Sequence, residues 1–532
     1  MSTKKAEESL MKQRIRELQD LETEVLVHSE EEKRKKQHAR GRLTARERLD
    51  LLLDPGSFVE MDMLIDHLSG TAGDGIVTGY GSVNGRRIFV YSQDATVRGG
   101  SIGFNHGQKM YRVIEKALQM GVPIIGLNDS PGARMENMNE IEGLKRLGRH
   151  PLSQMVEKGR GAVFYPNTRA SGAIPQISAI MGTCGGISVY SPALTDFIFM
   201  VDKTSHMFIT GPRIVESVMG EKVTMDELGG AKVHATVSGV CDFRCKDERE
   251  CIDGIKRLLS FLPDNYSVAP PVCDTGDDPE RLNDEVSNII PEDPYKPFDM
   301  HKIIESLVDN GDFFEVKKGF AQEMIVGFGR LDNRTVGIVA NQPKVRAGSL
   351  TVDSSDKQAR FIRFCDCFNI PLLLLVDTPA YMPGTSQEHA GIIRHGAKVL
   401  FALCEAVVPR VAVIFRKAYG GGSLGMGVVP GFGTDYTFIW PTAERGVLGA
   451  EQAVALYYQE ELRSANDREA FLKEKVQEYR QTMANPIFEA SSNLNIELIK
   501  PQETRKRIIR AFRSLRGKTV LRQPKHHGNI PL

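Results

Sequence analysis

Apolar and polar positions along the chain predict the same series of elements twice. In the first half, two short strands flank Asn84-Gly85, a helix runs from Phe104 to Met120, and the apolar run 123–128 indicates a buried strand before a further strand at 176–181. The second half predicts strands at 324–330 and 335–340, a helix at 356–368, and strands at 371–376 and 410–415. Strands and helices that alternate, with near-continuous apolar strands, are typical of an α/β fold.

The two series align residue by residue. Asp129 aligns with Asp377 at an offset of 248 (377 − 129). After additional sequence in the first half, Ile174 aligns with Val408 at an offset of 234 (408 − 174). A repeat of this length is a whole domain rather than a solenoid unit. The sequence therefore predicts two tandem α/β domains related by internal duplication, for which 532 residues are sufficient.

The segments outside the repeat are charged or rich in proline. The N-terminal segment predicts helices, one of which begins at Thr44 with Glu47 at the spacing of a capping box. A proline-rich, acidic stretch after Ala269 indicates a boundary between the halves. We therefore place the two domains at residues 1–290 and 291–532.

Composition and charge narrow the classes of function. Lys+Arg and Asp+Glu both number 68, so the net charge does not indicate a nucleic-acid partner. The N-terminus lacks the apolar segment of a secretory signal, and no apolar run reaches the roughly 18 residues that a membrane helix needs. The eight cysteines include no Cys-x-x-Cys pair, which favours reduced thiols over a zinc site. We expect a cytoplasmic protein without a metal centre.

Two glycine turns carry the candidate chemistry. Each follows a predicted buried strand and opens a helix, at Gly186-Ile187 and at Gly420-Gly421, and the two are equivalent at the second offset (420 − 186 = 234). Glycine lets a ligand approach the backbone, and N–H groups at a helix N-terminus favour negative charge. The turns therefore predict two oxyanion holes, while tight packing of strand against helix is the alternative interpretation. Their spacing matches neither a phosphate-binding loop, nor a dinucleotide fingerprint, nor a serine-hydrolase elbow.

Long motifs in a fixed order resemble the carboxyltransferase subunit of biotin-dependent acyl-CoA carboxylases and decarboxylases. The resemblance is to the propionyl-CoA carboxylase beta and methylmalonyl-CoA decarboxylase alpha type, and it extends from about residue 10 to the C-terminus. The motifs include Arg-Gly-Arg-Leu-Thr-Ala-Arg-Glu-Arg (40–48), Gly-Ala-Arg (132–134), Gly229-Gly-Ala-Lys232, Asn341-Gln-Pro-Lys344, Arg416-Lys-Ala-Tyr-Gly-Gly421 and Ile439-Trp-Pro-Thr442.

The resemblance implies two crotonase-like (ClpP/crotonase) domains with different ligands. The N-terminal domain would bind the acyl-CoA thioester, and the C-terminal domain would bind carboxybiotin. The N–H groups of Gly186 and Ile187 would hold the thioester oxygen, and those of Gly420 and Gly421 would hold the ureido oxygen of biotin. Further ligand-binding residues implied in this way are Gly132, Ala133, Arg134, Ala380, Tyr381 and Leu424.

The resemblance also implies partners. No Ala-Met-Lys-Met biotinylation motif is present, so biotin would arrive on a separate biotin carboxyl carrier protein. A carboxylase would add a biotin carboxylase subunit. A decarboxylase would add a membrane subunit, which would place this chain peripherally at a membrane. The usual assembly is a hexamer, with each active site between the N domain of one subunit and the C domain of its partner.

Several positions depart from the propionyl-CoA carboxylase pattern. Ile187 stands where glycine is usual, Leu424 stands where Asp is usual, and residues 135–168 add sequence beside the acyl site. We therefore expect a larger or already carboxylated acyl-CoA, whose carboxylate would face Arg98 or Arg134. Four functions stay open. The chain could carboxylate an acyl-CoA, run the same site in reverse as a decarboxylase or transcarboxylase, or serve as a non-catalytic crotonase-fold scaffold. It could also be a CoA-thioester hydrolase or isomerase, although those families normally use one crotonase domain.

Overall fold

The chain contains two compact units, each built on one eight-stranded sheet. The computed structural model describes residues 9–27, 31–67, 72–134, 142, 146, 164–429 and 431–532. The units are Met1–Leu259 and Ser260–Leu532. Each sheet is mostly parallel and begins with antiparallel strands. The predicted α/β class with two tandem domains is confirmed.

The two sheets have the same strand order. In the first sheet the order is β1-β2-β3-β4-β5-β6-β8, with β7 paired to β5, and in the second it is β9-β10-β11-β12-β13-β14-β16, with β15 paired to β13. The first-sheet strands are β1 Val59–Met61, β2 Ile76–Val83, β3 Arg86–Gln93, β4 Ile124–Ser130, β5 Gln176–Gly185, β6 Phe197–Val201, β7 His206–Phe208 and β8 Phe243–Cys245. The second-sheet strands are β9 Phe314–Val316, β10 Met324–Leu331, β11 Arg334–Asn341, β12 Leu372–Thr378, β13 Arg410–Tyr419, β14 Tyr436–Ile439, β15 Glu444–Gly446 and β16 Ile496–Leu498.

The described helices connect the strands. In the first unit they are α1 Leu10–Val27, α2 Glu31–Ala39, α3 Ala45–Leu52, α4 Phe104–Met120, α5 Phe164–Ala170, α6 Tyr190–Ala193, α7 Pro212–Met219, α8 Met225–Gly229, α9 Ala231–Thr236 and α10 Glu248–Leu259. In the second unit they are α11 Met300–Leu307, α12 Val352–Cys367, α13 Thr385–His389, α14 Ile392–Glu405, α15 Gly420–Gly425, α16 Ala450–Tyr457, α17 Gln459–Ser464, α18 Arg468–Thr482, α19 Pro486–Ser492 and α20 Thr504–Ser514. Short 3₁₀ turns occur at 72–75, 98–100, 186–189, 286–289, 309–311, 346–348 and 501–503. Among the described residues, none of these helices combines the length and apolarity that crossing a bilayer requires.

Central strands that are buried along their whole length explain the continuous apolar runs. All residues of β4 and β12 are buried, because neighbouring strands flank each one and helices cover the faces of a parallel sheet. The Asn84-Gly85 hairpin is also as predicted, since both residues adopt the left-handed conformation that a tight hairpin turn needs.

A matched irregularity shows how closely the two halves correspond. The pairing of β4 with β5 shifts between Asn128 and Ser130, and the pairing of β12 with β13 shifts between Val376 and Thr378. These positions are equivalent at the offset of 248. A bulge re-aims a side chain at the end of a strand. Asp129 and Asp377 therefore occupy the same place in the two sheets, as the repeat predicts.

The boundary between the units lies earlier than residue 290. Phe261 stacks against Phe314 and Phe328 with ring centroids 6.1 and 6.0 Å apart, and Thr275 donates to the Asn333 side chain at 2.8 Å. The proline-rich segment is therefore packed onto the second sheet and does not form a free linker. By compactness the chain divides after Leu259, and the division into ligand-binding domains at 1–290 and 291–532 stays a prediction.

Candidate active site at the two strand-to-helix turns

A buried aspartate stands at the carboxyl end of the central strand in each sheet. Asp129 is 3 % exposed and Asp377 is 1 % exposed. Their backbone N–H groups donate to equivalent side-chain oxygens, those of Gln93 at 2.9 Å and Asn341 at 3.2 Å. Ligands of open α/β sheets bind outside the carboxyl ends of the strands. The two aspartates therefore mark the two candidate sites.

Asp377 is neutralised from within its own sheet. Arg416 on β13 donates from Nη2 to the Asp377 carboxylate at 2.8 Å, and its guanidinium lies 4.7 Å from the ring centre of Phe298. Burial raises the pKa of Asp377, while the Arg416 charge opposes that rise. The guanidinium keeps a buried carboxylate compensated beside the glycine turn.

Asp129 is neutralised by arginines that come from the N-terminal segment. Arg42 and Arg48 donate to its two oxygens at 3.0 and 3.1 Å. Arg48 also donates twice to Glu248 at 2.8 Å. Burial alone would lower the pKa of Arg48, but the carboxylates of Asp129 and Glu248 outweigh burial and raise it. Helix α3, whose predicted capping box at Thr44 and Glu47 is present, carries Arg48 into this cluster.

Gly182 explains why the two halves differ here. Gly182 on β5 is the equivalent of Arg416 on β13 (416 − 182 = 234). A Cβ at Gly182 would lie 2.1 Å from Asp129 Oδ1 and 2.3 Å from Arg42 Nη1. The missing side chain therefore makes room for an arginine from elsewhere in the chain. The same charge is supplied by strand β13 in one half and by the N-terminal segment in the other.

The first glycine turn follows β5 directly. Gly186 has φ +57 and begins the 3₁₀ turn at 186–189, with half-buried Ile187 behind it. Gly132 also has a positive φ, and a Cβ there would approach Gly185 O to 2.7 Å, so the two backbones pass in close contact. The left-handed conformation falls on Gly186, and Ile187 needs no unusual backbone conformation to occupy the next position.

The second glycine turn also begins with a glycine in the left-handed conformation. Gly420 has φ +45 and opens helix α15. A Cβ at Gly420 would lie 2.7 Å from Val447 O, and a Cβ at Gly421 would lie 3.1 Å from the Tyr381 ring. The first N–H groups of a helix have no acceptor within that helix. The N–H groups of Gly420 and Gly421 are therefore suited to an external oxyanion.

The second turn opens into a cleft of about 630 Å³. Four predicted site residues contribute to its wall: Ala380, Tyr381, Gly420 and Gly421. Burial raises the pKa of Tyr381 to about 12, so its phenol stays neutral at physiological pH. Leu424 is half-buried on α15 and is not part of the described lining of this cleft.

A polar network that the sequence did not indicate forms the far wall of the cleft. Tyr419 donates to Glu444 at 2.7 Å, and Arg480 lies 3.0 Å from Glu444 and 2.8 Å from Glu451. Burial raises the pKa of Tyr419, and the Glu444 charge adds to the rise. Strand β15 and helices α16 and α18 bring these groups together from 444, 451 and 480, which no local spacing reveals.

The remaining residues that the sequence predicts near the acyl site are either ion-paired or exposed. Arg134 forms an ion pair with buried Asp74 at 2.6 Å and donates to Ser101 O at 2.9 Å, so its charge is already compensated. Ala133 and Arg98 are exposed. Most of the 135–168 insertion lies outside the described residues. In the described part of the chain, no cluster of His, Cys, Asp or Glu side chains is arranged to hold a metal ion.

Comparison with known proteins decides the family. Residues 36–530 match the carboxyl transferase domain. The chain belongs to this family. Because the match includes both units, it includes both glycine turns and the arginines at 42, 48 and 416. The predictions of an enzyme and of a carboxyltransferase are confirmed.

Relatives of this carboxyltransferase include carboxylase and decarboxylase subunits. It is 48% identical over 530 residues to the propionyl-CoA carboxylase carboxyltransferase subunit of Haloferax mediterranei, with 98% of this chain and 100% of that protein covered. It is 44% identical over 532 residues to the methylmalonyl-CoA decarboxylase alpha subunit of Propionigenium modestum, with the same coverages. It is thus a carboxyltransferase of the propionyl-CoA carboxylase type, with decarboxylases among its relatives.

A solved structure shares the whole fold of this carboxyltransferase. The transcarboxylase 12S hexamer with methylmalonyl-CoA and methylmalonic acid bound superposes with a TM-score of 0.90 at 41% identity, with all of both chains covered. The predicted crotonase-like arrangement of two α/β domains is therefore that of a known carboxyltransferase core.

Proposed function

We propose that this chain moves CO2 between biotin on a separate carrier protein and the α-carbon of an acyl-CoA thioester. The observation that carries the proposal is the pair of glycine turns. Gly186 and Gly420 occupy equivalent positions, both have a positive φ, and both end a central strand of their sheet. The reaction develops negative charge on two different oxygens, and the chain presents two turns of the same construction.

Each turn is assigned one oxygen. In the first half, the N–H groups of Gly186 and Ile187 hold the thioester oxygen as the α-carbon loses its proton and becomes an enolate. In the second half, the N–H groups of Gly420 and Gly421 hold the ureido oxygen as CO2 leaves the biotin nitrogen. Preorganised N–H donors of this kind each contribute about 10²-fold or more to the rate. The biotin nitrogen accepts the substrate proton, so the step requires no side-chain base.

The walls of the two sites determine what else binds. Gly132, Ala133 and Arg134 lie on the segment after β4 and border the acyl-CoA. Ala380 and Tyr381 lie on the equivalent segment after β12 and border biotin, a position supported by their contribution to the cleft beside Gly421. Biotin enters as a substrate on its carrier and is not a resident group. The carboxylase direction is our primary proposal, and decarboxylation uses the same contacts in reverse.

The assembly follows the same reasoning. We propose a hexamer, which is the form named for the transcarboxylase 12S core. The partners are a biotin carboxyl carrier protein and either a biotin carboxylase subunit or a membrane decarboxylase subunit. Purification from the native host, followed by mass spectrometry of the co-purifying subunits, distinguishes the two. A location in the cytoplasm, or at a membrane surface in the decarboxylase case, follows from which subunit is found.

A test with purified protein uses free biotin in place of the carrier. A carboxylated acyl-CoA and free biotin are supplied, and loss of the carboxylated thioester is measured by chromatography. We expect loss that depends on biotin and that falls about 10²-fold or more in Gly421→Val. A protein that leaves every carboxylated thioester intact while binding CoA normally would be a scaffold, and the proposal would fail.

A further inference from the structure

Lys417 places a cation in the wall of the second cleft. It precedes the glycine turn by three positions on β13, and its half-buried side chain contributes to the lining. Its backbone N–H donates to Asp377 at 3.0 Å, which fixes the residue beside the aspartate that marks the site. Arg416 and Lys417 both contribute to the lining, and the Arg416 guanidinium reaches Asp377.

The Lys417 ammonium differs from the other charges of the cleft. Arg416 is paired with Asp377, and Glu444 and Glu451 are both paired with Arg480. In the described part of the chain, no carboxylate lies within 4 Å of Lys417 Nζ. Its Nζ lies 5.6 Å from the centre of the Tyr295 ring.

The environment leaves this ammonium incompletely compensated. Burial lowers the pKa of Lys417, and the charge of Arg416 lowers it further. Asp377, Glu444 and Glu451 attract the ammonium from a greater distance and oppose that effect. A half-buried cation with these surroundings gains free energy when an anion binds beside it.

We propose that Lys417 binds the carboxylate that biotin carries into this cleft. This inference rests on the proposed function, in which Gly420 and Gly421 hold the ureido oxygen of the same ligand. Carboxybiotin presents two features at once, a ureido oxygen and an anionic carboxylate on the adjacent nitrogen. The cleft presents two matching features, the N–H groups of a helix N-terminus and a lysine ammonium.

The repeat provides an internal comparison. The first-half equivalent of Lys417 is Thr183 on β5 (417 − 183 = 234). The first glycine turn is assigned to a thioester, whose carbonyl is neutral before reaction and needs no cation. The second is assigned to a ligand that is anionic before reaction. The lysine is thus present only beside the turn assigned to carboxybiotin, whose reacting group is anionic on entry.

The chemistry of the step defines what Lys417 does. When CO2 leaves, the bond between the biotin nitrogen and the carboxyl carbon breaks, and its electron pair passes to the ureido group. The carboxylate loses its charge in this step, while the ureido oxygen gains charge at Gly420 and Gly421. An ammonium beside the carboxylate therefore stabilises the bound ligand more than the transition state. Lys417 is a binding residue that determines affinity for the loaded carrier rather than the rate of the transfer.

Direct binding separates this role from catalysis. Biotin amide and its stable N1-carboxymethyl derivative, which carries a carboxylate near the position of the natural one, are titrated by calorimetry into the whole protein. The wild type is expected to bind the carboxylate derivative about tenfold more tightly than Lys417→Met does, while both bind biotin amide equally. Lys417→Arg should retain most of the preference. Lys500→Met, an exposed lysine in the same unit, is the matched control and should behave as the wild type.

The outcomes are distinguishable. Equal weakening of both ligands in Lys417→Met would place the lysine at the ureido group and overturn the inference. No change for either ligand would make Lys417 a structural counter-charge for Glu444 and Glu451, which also overturns it. If the wild type transfers no CO2 to free biotin, the proposed function fails before Lys417 is tested. With transfer established, Lys417→Met should raise KM for carrier-bound carboxybiotin about tenfold without lowering kcat.

Discussion

Removal of Arg48 should destabilise the first unit more than removal of any other single cation near its site. Arg48 is 1 % exposed and donates three charge-assisted hydrogen bonds, two to Glu248 at 2.8 Å and one to Asp129 at 3.1 Å. In Arg48→Met, Asp129 keeps Arg42 at 3.0 Å, whereas Glu248 keeps only the Leu43 N–H at 3.4 Å. One buried carboxylate is then uncompensated, which costs about 3–5 kcal/mol.

Two variants test whether the charge, and not the volume, is responsible. Arg42→Met leaves Asp129 paired with Arg48, and the Arg42 side chain is 15% exposed, so we expect a loss of only about 1 kcal/mol. Arg48→Met combined with Glu248→Leu removes both partners and should recover most of the stability. Free energies of unfolding come from urea titrations followed by circular dichroism, and hydrogen exchange in α3 and α10 locates the change.

The penalty should also depend on pH. Burial raises the pKa of Glu248, and in the wild type Arg48 opposes that rise. Without Arg48 the folded-state pKa rises further above the unfolded value, so the folded protein favours the protonated carboxyl. The destabilisation is therefore fully present well above that folded pKa and is relieved as the pH falls through it towards the unfolded value. An Arg48→Met penalty equal to that of Arg42→Met, or one that grows as the pH falls, would refute the argument.

Three further changes test the site. Gly421→Val should reduce carboxyl transfer about 10²-fold or more, because its side chain would enter the cleft assigned to biotin, beside the Tyr381 ring. Acyl-CoA affinity, measured by calorimetry, should stay within twofold, and normal turnover would end the assignment of the second turn. Gly182→Ala should destabilise the protein by about 1–3 kcal/mol, because its Cβ would lie 2.1 Å from Asp129 Oδ1 and 2.3 Å from Arg42 Nη1. An unchanged unfolding midpoint would show that these side chains can move aside. Because Leu424 stands where Asp is usual, specificity constants across a panel of acyl-CoAs should be higher for a larger or carboxylated thioester than for propionyl-CoA. The highest constant for propionyl-CoA or acetyl-CoA would show that Leu424 does not select the substrate.

The strands and their duplication could be predicted because apolar runs and turn residues are local signals. The ends of the central strands could be predicted less well from the sequence. The apolar runs end at 128 and 376, but β4 and β12 continue through Asp129 and Asp377 to Ser130 and Thr378. A buried aspartate is tolerated there only because an arginine compensates it. That arginine is remote in sequence in the first half, so no pattern around Asp129 reveals it.

The site could be predicted as two backbone turns but not as a charged cleft. Glycines at equivalent positions identify the turns from sequence alone, since only glycine occupies their left-handed conformation readily. The side chains that complete the second site come from β13, β15, α16 and α18, and folding alone brings them together. The apolar-polar pattern gives no reason to single out Lys417, because the charges that surround its ammonium come from Asp377, Arg416, Glu444 and Glu451, most of them remote in sequence.

The first half has Gly182 at the position where the second half has Arg416. This difference limits how either half can be used as an engineering module. A second half excised from residue 260 onward would carry Asp377, its arginine and Phe298 together. A first half excised at its first repeated strand, β2, would bring Asp129 to a buried strand end with neither Arg42 nor Arg48, and with no room on β5 for a substitute. Chimeras, truncations and circular permutants of this chain should therefore retain residues 42–48 with the first sheet, although those residues lie outside the duplicated sequence.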